Sequence, residues 1–176
     1  QTWPRTWARG SSRSLLSQFR QSLGCEGSSS HLGLIEDSVF SEVRETRRIL
    51  HVHSERIFLV GVGEGAAVAF RLGLSHPDRF AGVISINGWV PTGFPQLAHW
   101  KTIRETNFRI LALHGAWNER VPAARTREMV SSYREVGVTV SAQEYPSGHG
   151  VSRHMLSDID EWLIRQCTSD RVRGRI

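Results

Sequence analysis

The segment Gly61-Val62-Gly63-Glu64-Gly65 follows the apolar run Arg56-Ile57-Phe58-Leu59-Val60 and precedes the helix-prone Ala66-Ala67-Val68-Ala69-Phe70. A strand, a tight glycine turn and a helix in that order form the setting of a nucleophile elbow, G-x-S-x-G, which aims a serine hydroxyl at a carbonyl carbon. Small residues flank the nucleophile there because the backbone doubles back sharply. The central position has strained backbone angles, which glycine tolerates better than any other residue. Here that position is Gly63. The turn is present in the sequence, and the hydroxyl is not.

The elements that must position such a turn alternate along the chain. Residues 1–30 are rich in Ser, Gly and Arg, with Trp3 and Trp7, and show no strand pattern. From Leu32 a helix is predicted, with Leu32, Ile35, Val39 and Val43 on one face and Arg44, Arg47 and Arg48 near its C-terminal end, where cations suit the dipole. A strand is predicted at 57–61, then a helix to Leu74 that Ser75-His76-Pro77-Asp78 breaks. Further strands are predicted at 81–86, 108–113 and 138–142, with an irregular stretch from Asn87 to Thr106. Pro122 opens a helix carrying Met129, Val130 and Tyr133, and Gly137 stops it. The last helix presents Met155, Ile159, Trp162 and Leu163 on one face. This order implies an α/β domain, a parallel sheet with helices on both faces, over residues 31–170, with a basic tail at 171–176.

Functional groups in such a sheet gather in the loops beyond the C-terminal strand ends. The first such loop holds Gly63, the third runs from His114-Gly115 through Asn118 to Val121-Pro122, and the fourth is Tyr145-Pro146-Ser147-Gly148-His149-Gly150. Over residues 31–167 the chain resembles the α/β-hydrolase fold, and within it the phospholipase/carboxylesterase group that includes acyl-protein thioesterases. That group carries G-F-S-Q-G-G at the elbow, H-G-x-x-D-x-x-V-P at the acid and G-H-G or G-H-x at the base. The resemblance implies a serine, an acid and a base at Gly63, Asn118 and His149, so that only His149 keeps the family's residue type. It places one oxyanion-hole donor at the backbone N–H of Glu64. The second donor comes from a loop after an earlier strand. Nothing like that strand is read in the first thirty residues, so the fold is expected to lack its N-terminal strands. The strand at 57–61 is then expected at an edge, covered by the N-terminal segment, a missing piece of a longer protein or an oligomer partner.

Without a nucleophile the acyl-enzyme route is closed, and an Asn cannot balance an imidazolium charge. The expectation is a non-catalytic homologue whose former acyl pocket, rimmed by Trp89, Trp117 and His149, binds a small acyl or ester-like molecule or a partner. The alternative is slow hydrolysis through His149 and water, or through another nucleophile, either outside this chain or Ser85 or Ser147, with Glu119 as a substitute carboxylate. His114 reads as structural, and His51 and His53 alternate without a carboxylate or thiol cluster beside them, so neither a metal nor a cofactor is expected.

A rival reading takes Gly61–Ala66 as the dinucleotide fingerprint G-x-G-x-x-G/A. No Asp or Glu lies between Asp78 and Glu105 to hold a ribose, and Glu64 would repel pyrophosphate. The net charge of +5 sits at the ends: residues 31–170 hold 15 basic and 16 acidic side chains, which argues against nucleic acid. Lysine occurs once, at Lys101, against 21 arginines. Cys25 and Cys167 suggest neither a disulfide framework nor a metal site, and no apolar run approaches a membrane span. A cytoplasmic protein is expected.

Overall fold

The computed structural model describes residues 29–50, 57–90 and 100–173. The chain divides into two compact units, residues 1–44 and 45–176. In the first lies most of helix α1 (Ser29–Ile49), on which Ile35, Val39 and Val43 are half-buried as their spacing predicts, while Leu34 is exposed. The second holds β1 (Phe58–Val62), α2 (Glu64–Ser75), β2 (Gly82–Ile86), α3 (Trp100–Glu105), β3 (Arg109–Gly115), α4 (Ala123–Glu135), β4 (Thr139–Tyr145) and α5 (Arg153–Arg173).

The four strands lie in the order β1-β2-β3-β4, all parallel. Every residue of β2 and β3 is buried, which is why Val83-Ile84 and Ile110-Leu111-Ala112-Leu113 read as continuous apolar runs rather than alternating ones. Side chains nevertheless alternate between the two faces. Ile84, Ile86, Leu111, Leu113 and Tyr145 form a core with Met155, Ile159 and Trp162 of α5. Trp162 meets Phe58 edge-on at 5.2 Å and donates its indole N–H to Ser141 Oγ at 3.3 Å. On the other face α2 lies close to the sheet because residue 73 has no side chain: a Cβ there would come within 2.8 Å of Val83 Cγ2 and 2.9 Å of Phe108 Cζ. Phe70 of α2 stacks on Tyr133 of α4 at 6.2 Å, so these two helices share that face. This is the doubly covered parallel sheet that the alternation of elements implies.

Two expectations are corrected. The stretch from Asn87 to Thr106 is not wholly irregular, since α3 crosses it; six residues, among them the buried Ile103, are too short to show a periodicity. Strands β3 and β4 run to Gly115 and Tyr145, beyond the predicted 113 and 142, because parallel pairing continues through His114↔Glu144 and Gly115↔Tyr145. Those extra residues carry the site loops. Among the described residues β1 is an edge strand, with Val60 and Val62 exposed at 43% and 45%. Residues 1–28 and 51–56, with His51, His53 and the predicted irregular segment, lie outside the described residues. No described helix is long and apolar enough to cross a membrane.

Candidate functional site

Loops leaving the C-terminal ends of β1, β3 and β4 bring Gly63, Asn118 and His149 together. Gly63 adopts φ 56° and ψ −119°, a positive-φ conformation that strains any L side chain. Its N–H donates to Ile86 O at 2.8 Å and its carbonyl accepts from Ala66 N at 3.1 Å, which turns the chain from strand into helix. The flanking Gly61 is obligatory, because a Cβ there would lie 2.3 Å from Gly65 O. A Cβ on Gly63 would meet one neighbour, the His149 ring, at 3.2 Å from both Cε1 and Nε2. A side chain at position 63 therefore points at the imidazole.

The other ring nitrogen faces Asn118, which is 6% exposed. Asn118 Oδ1 accepts from the backbone N–H of Arg120 at 3.1 Å and of Val121 at 3.2 Å, which fixes which way the amide points. His149 Nδ1, 3.1 Å from the same oxygen, must then be the donor. Neutral His149 thus carries its proton on Nδ1 and presents the Nε2 lone pair to position 63. Asn118 Nδ2 is buried without a hydrogen-bond partner, as expected of an amide in a socket built for acceptors. The two loops are laced by Ala116 N–H to Tyr145 O at 2.8 Å and Trp117 N–H to Ser147 O at 3.0 Å. A Cβ on Gly115 would sit 2.2 Å from Gly148 O, so only glycine lets them approach.

The sequence model of the phospholipase/carboxylesterase family matches residues 16–166. The chain belongs to that family. The carboxylesterase SOBER1 of Arabidopsis thaliana is 28% identical over 144 residues, an alignment that covers 74% of this chain and 60% of that protein. The crystal structure of SOBER1 superposes with a TM-score of 0.65 at 22% identity, over 82% of this chain and 69% of that one. The Bacillus cereus carboxylesterase gives a TM-score of 0.60 at 14% identity, over 77% of this chain and 61% of that one. At these identities the superpositions establish the α/β-hydrolase fold. This chain spans about 60% of the length of the curated relative SOBER1. Membership in the carboxylesterase family sets aside the dinucleotide reading of Gly61–Ala66.

The remaining candidates of this carboxylesterase-family chain fall into clear places. Glu119 is exposed and leaves His149 Nδ1 to Asn118, so it does not substitute for the acid. Ser85 is buried on β2, and Ser147 Oγ is buried without a hydrogen-bond partner; neither hydroxyl bonds to His149. Glu64 opens α2 with its side chain exposed, Trp89 is half-buried and Trp117 is 68% exposed. Among the described residues no group of His, Cys, Asp or Glu is placed to hold a metal ion.

One residue is missed by sequence reasoning. Asn87, 0% exposed at the end of β2 with φ 54°, accepts from Gly115 N–H at 2.7 Å through Oδ1. Its Nδ2 donates to His149 O at 2.9 Å and Gly150 O at 3.2 Å. One side chain thus ties the β2 end to both the Asn118 loop and the His149 loop. The local signal is Asn-Gly after a strand, which reads as an ordinary turn.

His114 is structural, as its place in the motif suggests. Its Nε2 faces Val121 O at 3.0 Å; a carbonyl only accepts, so Nε2 holds the proton and Nδ1 accepts from Thr126 Oγ1 at 3.0 Å. Burial pushes the His114 imidazole below the ordinary histidine range, against the opposing effect of Val121 O. The folded protein therefore binds this proton more weakly than the unfolded chain does. The stability His114 contributes is full above its unfolded value of 6.5 and is lost as pH falls toward the lowered folded value. Thermal melts at about pH 7 and about pH 5 should show a larger loss on acidification for the parent than for His114→Gln. Equal losses would remove His114 as the cause.

Proposed function

We propose that this chain is a carboxylesterase-family protein without an internal nucleophile, which binds a small acyl or ester-like molecule and forms no acyl-enzyme. The supporting observation is at position 63. The turn keeps the strained geometry of an elbow and points its missing side chain at His149, yet the residue there is glycine. Asn118 reinforces this reading, because an amide beside the imidazole supplies no counter-charge. In serine proteases an Asp-to-Asn change in this role costs about 10⁴ in rate even with the serine present.

A second reading draws on the Nε2 lone pair facing position 63: His149 could draw a proton from water and hydrolyse esters slowly. Hydrolysis of a short-chain p-nitrophenyl ester by the parent and by His149→Ala separates the two, once cooperative melts show both are folded. The proposed function expects no turnover above background and no difference between the proteins. Turnover in the parent that His149→Ala abolishes would overturn it in favour of the second reading.

A further inference from the structure

A groove of about 330 Å³ opens between α4 and the β3–β4 side of the sheet, and none of Gly63, Asn118 and His149 lines it. Its origin is a pair of small residues. Ala112 and Ala142 are register partners on β3 and β4. His114, two residues beyond Ala112, turns to Thr126 of α4, so by strand alternation Ala112 and its partner face that helix too. Two methyl groups leave the layer between helix and sheet unfilled, and Ala142 is exposed although it lies on the helix-facing side. Val130 of α4 adds apolar surface from the opposite wall. The polar groups around this floor are unevenly charged. Arg127 donates through Nε and Nη2 to the two carboxylate oxygens of Glu144 at 2.6 Å and 2.9 Å, which neutralises that pair. Arg134, also on the groove wall, donates through Nε and Nη2 to a backbone carbonyl, Val140 O, at 3.2 Å and 3.0 Å. Among the described residues no carboxylate pairs with Arg134. A neutral acceptor thus holds the guanidinium in place, while its charge stays uncompensated and its Nη1 group stays available.

We propose that this groove binds a compact amphipathic monoanion, its apolar body on Ala112, Ala142 and Val130 and its anionic group on Arg134. An anchored cation beside an apolar floor selects for both halves of such a ligand, and the anchoring lowers the ordering cost of binding. Glu144 opposes a second negative charge on the ligand, and Arg134 opposes a cation. His114 is committed to Thr126 and Val121 and offers the ligand no further bond. This site is separate from the loops that hold His149, and it stands whether or not those loops bind an acyl molecule.

The test is calorimetric titration of the full chain with 3-phenylpropanoate, the neutral 3-phenylpropanamide and the cationic 3-phenylpropan-1-amine. The anion should bind saturably and about fivefold more tightly than the amide, the upper range for an ion pair open to solvent, with the cation weakest. That preference should shrink as salt is added. Arg134→Gln should bring anion and amide to the same affinity while amide binding persists, a selective loss that a purely structural role for Arg134 would not produce. Ala142→Phe, at an exposed strand position, should fill the floor and weaken all three compounds. His149→Ala should change none of them. If Arg134→Gln or Ala142→Phe does not melt cooperatively, the salt dependence of the parent and the milder Ala142→Leu decide. Absence of saturable anion binding, equal affinity for anion and amide in the parent, or an anion preference that survives Arg134→Gln would overturn the inference. Loss of binding in His149→Ala would overturn it as well, because the ligand would then sit in the His149 loops.

Discussion

The double variant Gly63→Ser, Asn118→Asp is expected to cleave short-chain p-nitrophenyl esters through an acyl-serine that mass spectrometry detects, whereas the parent forms none. The serine Cβ would arrive 3.2 Å from His149 Nε2, so the hydroxyl needs only a small movement of the flexible imidazole to reach hydrogen-bond distance. The carboxylate introduced at position 118 would inherit the two backbone donors now on Asn118 Oδ1, from Arg120 and Val121, and would hold the imidazolium by charge. The buried, unpartnered Nδ2 would disappear with the amide. Gly63→Ser alone should run about 10⁴ slower than the double variant, the cost of an amide in the acid's place. Asn118→Asp alone should form no acyl-enzyme, because it has no hydroxyl to acylate. The family resemblance implies one oxyanion donor at the Glu64 N–H and a second from an earlier strand's loop that is not read in this chain, so the double variant should fall about 10²–10³ short of a site with both donors. A serine at φ 56° also strains the turn, at about 1–3 kcal/mol. A folded double variant that never acylates would show that position 63 does not reach a bound ester. Unimpaired rates would show that a second donor stands at the site.

The parts of this molecule that could be read from sequence are those with local causes. The runs around Ile84 and Leu111 declare buried parallel strands because neither face meets water, and Pro122 and Gly137 bracket α4 by their own backbone restrictions. Gly63 was legible because a nucleophile elbow needs small residues at fixed offsets. Asn118 was legible through the family resemblance, whose motif sets the acid's position between His114-Gly115 and Val121-Pro122. What was not legible depends on residues far apart in the chain. The orientation of Asn118, and through it the His149 tautomer, follows from two backbone N–H groups that converge only when the loop closes. The edges of β3 and β4 follow from pairing with each other. Asn87 bonds to partners 28, 62 and 63 residues away, and no spacing rule reaches that far.

That long reach makes Asn87 the position where a small chemical change should do the most structural harm. Asn87→Asp exchanges one NH₂ for an oxygen and leaves the shape unchanged. The retained Oδ1 would still accept from Gly115 N–H. The second oxygen would face the carbonyl oxygens of His149 and Gly150 where Nδ2 now donates at 2.9 Å and 3.2 Å, from a side chain that is itself fully buried. The expected cost is about 3 kcal/mol or more, which lowers Tm by about 6–12 °C in a chain of this size. Asn87→Ala should cost a similar amount for a different reason, since it leaves one N–H and two carbonyls unpaired and puts an alanine at positive φ. Acidification separates the two. The repulsion raises the carboxyl introduced at position 87 above the ordinary carboxylate value of about 3.9 in the folded protein only. Its destabilisation is therefore full at neutral pH and relieved as pH falls through that raised value, where the protonated acid can donate to one carbonyl. Relative to Asn87→Ala, the aspartate variant should regain Tm between about pH 7 and about pH 5, while both share the loss that His114 causes. Amide exchange in the His149 loop should quicken in both variants at neutral pH. If Asn87→Asp melted like the parent and left that exchange unchanged, the His149 loop would be held by its bonds to the Asn118 loop alone.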